Sequence, residues 1–302
     1  MSSEAVPTGS AERAAEPGVT ATTPATAAAR AGGSIGLFGS ELLTLFRRRR
    51  TWALLGALAL IPVLIGVAIR VAGDAPAGRG PAFLGQVTEN GLFVGMVAVI
   101  VATPLFLPLT IGVVAGDAIA GEASHGTLRY LLIAPAGRIR LLVVKYLVAA
   151  VFCAAAALTV VVVGTIVGWV LFPIGPVTLL SGTSVSVGEG LLRFLAIAAY
   201  VTVSLLGMSA IGVFLSTLTT VPVGAMAATA ILAVVAQIMG ALPQLEWVHP
   251  WLFTEYWLGF GDLLRDPPVW DSFVDNAVLQ AGYVVVFGAL AAGRFLTKDI
   301  LS

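Results

Sequence analysis

Charge is what this chain has least of. Of its 302 residues, 11% are Asp, Glu, Lys or Arg and 58% are hydrophobic, whereas a soluble domain carries roughly a quarter charged residues. So little charge cannot clothe a water-facing surface, and lipid must be the main solvent. Lysine is almost missing. Lys145 and Lys298 follow Val144 and Thr297, so no GxxxxGK[ST] phosphate loop exists, and ATP hydrolysis by this chain is excluded. The single cysteine, Cys153, lies in an apolar run and excludes an internal disulfide framework; it reads as a small packed hydrophobe. A net charge of zero argues against a nucleic-acid partner.

What is present is a series of long apolar runs. Charge at a bilayer centre costs roughly 2.5 to 3.5 kcal/mol per residue, so ionisable residues delimit the runs. Arg50 and Arg70 bracket the first, Glu89 and Asp117 the second, and the third ends at the breaker PIGP. From Phe194 to Leu245 there is no charge at all. As one helix this stretch would far exceed a hydrocarbon core about 30 Å thick, so it must fold back, and STLTTVP supplies the turn. The last run lies between Asp275 and Arg294. The expected fold is an all-α integral membrane protein with six transmembrane helices, at residues 51–71, 90–116, 141–172, 191–216, 221–242 and 277–294. An even count puts both termini on one side. Arg47 to Arg50, Arg129, Arg138, Arg140, Lys145 and Arg294 then share that side, against Arg70, Arg79, Arg193 and Arg265 on the other. The positive-inside rule makes both termini cytoplasmic.

Residues 1–33 are rich in Ala, Thr, Ser and Pro and read as a disordered cytoplasmic tail. In residues 34–50, Ile35, Phe38, Leu42 and Leu45 form one helical stripe ending in RRRR. An amphipathic helix lying in the inner interface is expected, against the plainer reading of a frayed extension of the first span. The outer loop, residues 243–275, holds Trp247, Trp251, Trp257 and Trp270, four of the six tryptophans. Such rings gather at membrane interfaces, so short helices resting on or dipping into the outer leaflet are expected. A role in substrate exit is the other reading.

The loop after the second span, GDAIAGEASHGTLRYLLIAPAGR, is an island of polarity. Gly126 is a natural left-handed stop for the second span. Thr127 then caps a short helix, LRYLLIA, which Pro135 and Gly137 end. Leu128, Leu131 and Leu132 share the face that rests on the membrane, and Arg129 lies off it. A helix about 122–135 slung between two spans suits docking of a soluble partner. A solvated loop whose basic residues fix topology fits the spacing equally.

At these residues the chain resembles the six-helix membrane subunits of type-2 ABC exporters. Their signature runs from an acidic residue through Gly-Thr-Leu, an apolar pair, a proline and a basic residue to a lysine opening the next span. Glu122, Gly126, Thr127, Leu128, Pro135, Arg138 and Lys145 stand in the matching places. The six spans and the interfacial helix agree with that family over residues 34 to 302. The resemblance implies that Asp117, Glu122, His125, Gly126, Thr127, Leu128, Arg129 and Arg138 form an ATPase-coupling site. Its partner would be a separate cytosolic ATP-binding subunit, which would carry the ATP and Mg; this chain itself would bind no cofactor. It implies a homodimer or a paired permease in the plasma membrane, multi-pass, of the bacterial inner-membrane kind. Helices two and five would line the pathway.

Rival chemistries find little support. GFGD, at Gly259 to Asp262, mimics an intramembrane aspartyl protease, but no second aspartate stands in any span to share its proton. His125 and His249 fall on opposite sides of the membrane, which excludes a two-histidine zinc site in one subunit. A secondary transporter or channel is the stronger alternative. Those place ionisable groups at mid-membrane, whereas here Gln237 is the strongly polar side chain deep in a span and the candidate for lining a pathway. An otherwise apolar pathway suits lipophilic or amphipathic cargo.

Overall fold

The computed structural model describes residues 25–72, 90–124, 126, 137–179 and 181–297, with side chains from residue 35 onward. Eight helices carry it: α1 (Ala25–Arg47), α2 (Arg49–Ala72), α3 (Phe93–Ala102), α4 (Phe106–Ser124), α5 (Arg138–Leu171), α6 (Val187–Leu218), α7 (Pro222–Gly240) and α8 (Asp271–Thr297). Six of them, α2 and α4 to α8, are long and apolar enough to cross a membrane. The chain is an all-α integral membrane protein, as its composition requires. A two-stranded hairpin between α5 and α6, pairing Val177 with Val185 and Thr178 with Ser184, is the sheet found among the described residues.

Helix ends and span ends differ. α5, α6 and α8 run past the charges that bracket their apolar runs, because a helix continues into the interface once its polar side chains reach water or partners. α1 starts at Ala25, inside the segment expected to be tail, where Ala25, Ala27 to Ala29 and Ala31 have high helix propensity. The second apolar run is two helices rather than one. Pro104 and Pro108 stand four residues apart and each lacks the amide that would close a rung, so α3 stops at Ala102 and α4 starts at Phe106.

One end of the bundle gathers the basic C-termini of α1 and α8 and the basic N-termini of α2 and α5. Thr51 Oγ1 and Trp52 Nε1 donate to the Leu45 and Phe46 carbonyls, at 2.6 and 2.7 Å, and so cap α1 where the chain turns into α2. Arg50 Nη2 reaches Met226 Sδ, 3.1 Å away, just inside α7. Arg138 Nη1, at the start of α5, donates to the Leu296 carbonyl at 3.1 Å and to that of Phe295 at 3.4 Å, placing a cation on the C-terminus of α8. The N-terminus of α2 and the C-terminus of α8 therefore share this basic end, as an even number of crossings demands.

Small residues set the tightest helix contacts. A Cβ on Gly168 would lie 1.8 Å from the Gly91 carbonyl oxygen, and one on Gly164 would lie 2.5 Å from Gly95 Cα. α3 and α5 therefore touch backbone to backbone, as GxxxG spacing permits. The second pair, Gly112 and Gly116, packs α4 on α7, with a Gly116 Cβ falling 2.7 Å from the Met226 amide nitrogen. The main core lies among α2 to α6, with Phe152, Ile197, Leu205 and Met208 almost fully buried. α7 and α8 instead expose Val223, Ile231, Val278 and Val285, an apolar surface that suits lipid.

Candidate functional site

The charges of the basic end collect between α1, α2, α4 and α5. Lys145 lies two turns inside α5, in a helix otherwise apolar to its far end. At 8% side-chain exposure its ammonium is cut off from water, and an ion so placed persists only with partners. It has two. Nζ donates to Glu41 Oε2 of α1 at 2.6 Å and to Glu122 Oε1 of α4. Both carboxylates are themselves mostly buried, at 14% and 13% exposure. One cation thus joins α1, the last turn of α4 and the first turns of α5.

A looser pair lies beside it. Arg48 Nη1 is 3.0 Å and Arg50 Nη1 3.5 Å from Asp117 Oδ2, with the two guanidinium groups about half exposed. Three acids and three bases make the whole cluster neutral. A cavity of about 50 Å³ lies among Glu41, Arg48, Asp117, Glu122 and Lys145. Burial grades the two halves: the Lys145 clamp faces protein, and the Asp117 pair faces the rim.

α4 ends at Ser124, and Gly126 follows with φ +70° and its amide on the Ala123 carbonyl at 3.2 Å. This is the left-handed exit the sequence leads one to expect, open to glycine because it lacks a Cβ. His125, Thr127, Leu128 and Arg129, with the short helix expected there, lie outside the described residues. Of the remaining coupling candidates, Asp117 and Glu122 meet in the cluster and Gly126 stands at its exit. Arg138 is apart from them, on the end of α8.

Gln237 sits on α7, where its Nε2 donates to the Pro104 carbonyl. That oxygen is the one left without a helical partner by Pro108, so the side chain supplies the donor its own fold needs. Sequence reasoning missed the pairing of Glu41 with Lys145, and it missed Gln280. The signal for the first was a lysine several residues inside an apolar helix, a position rarely occupied without a counter-ion.

Gln280 is part of a neutral network at the opposite end. Its Oε1 accepts from the Gly207 amide at 3.2 Å and its Nε2 donates to the Phe253 carbonyl at 2.9 Å. Asn276 Nδ2 donates to Ser204 Oγ at 2.8 Å, and Trp257 Nε1 to the Ser204 carbonyl at 3.0 Å. These bonds hold the aromatic loop between α7 and α8, three turns of 3₁₀-helix (Pro243–Leu245, His249–Trp251 and Gly259–Leu264), against α6 and α8. Trp257 is buried within it, while Trp247, Trp251 and Trp270 are exposed and available to an interface.

A family model described as "ABC-2 family transporter protein" matches residues 37–260, which covers the basic cluster, the segment between α4 and α5, and most of the aromatic loop. No curated protein matches the chain.

Proposed function

The chain belongs to the ABC-2 transporter family, and from that premise we propose that it is a permease coupled to a separate cytosolic ATPase. It is a multi-pass membrane protein and a transport subunit. The proposal adds the motor, the route of force and the cargo class. ATP and Mg would be held by the partner, since this sequence lacks a phosphate loop. The basic end would face the cytoplasm and the aromatic loop the outer side. Two copies, or this chain with a related permease, would enclose the pathway.

The observation that carries the reading is the clamp of Lys145 between Glu41 and Glu122. The segment Glu122 to Arg138 would dock on the ATPase, with His125, Thr127, Leu128 and Arg129 at its tip. Force arriving there would enter α4 at Glu122, and the buried ammonium would pass it to the interfacial helix and to α5 together. A charge-assisted hydrogen bond from one ammonium to carboxylates on two other helices stays engaged through a small shift and so carries a displacement of one helix to the others. Gln237 would border the pathway between the second and fifth spans, whose otherwise apolar walls suit lipophilic or amphipathic cargo moving outward.

The test is purification in mild detergent. An ATPase with a phosphate loop should accompany the chain at one copy per permease, and the permease should stimulate its ATP hydrolysis. Glu122→Arg should abolish that stimulation while the chain still inserts in the membrane. A lone oligomer that conducts ions in planar bilayers would replace this reading with a channel.

A further inference from the structure

The second span is divided between two bodies, and the division falls where its backbone is weakest. α3 is locked to α5 by the backbone contacts of Gly91 and Gly95 with Gly168 and Gly164. α4 is locked to α7 by Gly112 and Gly116, and to α6 by Ser216. That fully buried serine enters the helical ladder of α4. Its Oγ donates to the Gly116 carbonyl at 2.7 Å and accepts from the Ile119 and Ala120 amides at 3.0 and 2.8 Å. Between the two bodies lie Thr103 to Leu105, with Pro104 inside the gap and Pro108 in the first turn of α4, each removing a rung. Pro104 removes the amide that would reach the Ile100 carbonyl, and Pro108 removes the one that would reach the Pro104 carbonyl, to which Gln237 Nε2 donates instead.

We infer that Thr103–Leu105 is the hinge of the second span and that Gln237 is the positioning residue that latches it. With the bond made, α4 is tied to α7 at both ends, and α3 and α4 hold one mutual angle. With the bond broken, the Pro104 carbonyl must find another donor, and the angle is freed. The Pro104 end of α4 would then tilt with α7 against α3, with the Ser216 bonds and the Lys145–Glu122 clamp holding the other end of α4 as the pivot, and such a tilt would open a pathway between the second and fifth spans. The use of the swing rests on the transport reading; the hinge and its latch do not.

Pro108→Ala supplies the test, because it restores the amide four residues after Pro104 and makes the side-chain donor dispensable. Ile100 of α3 and Ser124 of α4 are exposed and lie roughly 36 Å apart along a helix rising about 1.5 Å per residue. Ile100→Cys and Ser124→Cys would carry spin labels in the full chain in nanodiscs, while fully buried Cys153 stays unmodified. The expected result is a broadened distance distribution in Gln237→Leu and a return to the native width in Gln237→Leu/Pro108→Ala. A merely space-filling glutamine would gain nothing from an amide restored on another helix. An unchanged distribution in Gln237→Leu, or a double variant as broad as the single, overturns the latch. Should Gln237→Leu not accumulate as a monodisperse protein, Pro108→Ala alone decides: a narrower distribution than native supports the hinge, and an unchanged one overturns it. No ATPase is present in this measurement, so absence of a motor would remove the transport reading and leave the hinge result standing.

Discussion

At the basic end of the bundle ion pairs tie different helices together: buried Lys145 with Glu41 and Glu122, and half-exposed Arg48 and Arg50 with Asp117. At the opposite end Arg193, 8% exposed, pairs with Glu189 of its own helix and donates to the Leu263 and Arg265 carbonyls, while the groups deeper in are neutral. Ser204, Asn276 and Gln280 are fully buried, and several of their bonds go to backbone groups of α6 and the aromatic loop. The difference has a physical meaning. A neutral hydrogen bond to a fixed carbonyl is short-ranged, so a network of them specifies one arrangement and fails when displaced. Ionic attraction falls off more slowly with distance and follows its partners through a small shift. The first suits a cap that holds its shape, the second a junction that receives a push.

Removing the central ion should break this contrast most severely. Lys145→Met leaves Glu41 and Glu122 facing each other in a mostly buried site. Breaking a buried ion cluster in this way costs on the order of 3–5 kcal/mol. The expected outcome is a large drop in the denaturant midpoint in detergent, followed by tryptophan fluorescence. Glu41→Gln/Glu122→Gln/Lys145→Met removes every charge from the clamp and should recover most of the loss. A triple variant as unstable as the single would show that packing of the lysine stem, not charge, holds the junction.

The neutral end should respond less per residue. Gln280→Leu strands the Phe253 carbonyl and removes a side-chain acceptor from the Gly207 amide inside α6, and a buried group without a partner costs about 1–3 kcal/mol. The loop should loosen first, read as faster quenching of buried Trp257 fluorescence by acrylamide before any global unfolding. Equal quenching in the native and variant chains would mean that apolar packing of Phe253, Phe260 and Leu264 fixes the loop without the network.

How far such behaviour can be foreseen depends on which forces act locally. The apolar runs were legible because lipid imposes a long-range rule, and the left-handed turn at Gly126 because one residue type answers one backbone need. The glycine contacts of α3 with α5 and of α4 with α7 depend on tertiary packing, and spacing alone carries little weight in a chain with 34 glycines. Gln237 stood out by polarity alone. Its bond to the Pro104 carbonyl required knowing that α7 runs beside the gap that two prolines open in the second span. The pairing of Lys145 with Glu41, 104 residues apart, had no local signal beyond the oddity of a lysine in an apolar helix. The second span was read as one helix, since hydropathy is blind to a missing amide.

The smallest expected effect separates the two halves of the basic end itself. Arg48→Ala removes a half-exposed guanidinium from Asp117 while Arg50 stays within 3.5 Å of the same carboxylate. Exposed pairs contribute roughly 0–1 kcal/mol, and a second cation reduces the loss further. The informative variable is salt. The screening length falls from about 10 Å at 0.1 M to about 3 Å at 1 M, so the gap between native and Arg48→Ala stability should close as salt rises. The gap for Lys145→Met should persist, because counter-ions cannot reach a side chain that is 8% exposed. Parallel salt responses in the two variants would make the cluster one solvated network, and the clamp would lose the rigidity that passing a force from α4 to α1 and α5 requires.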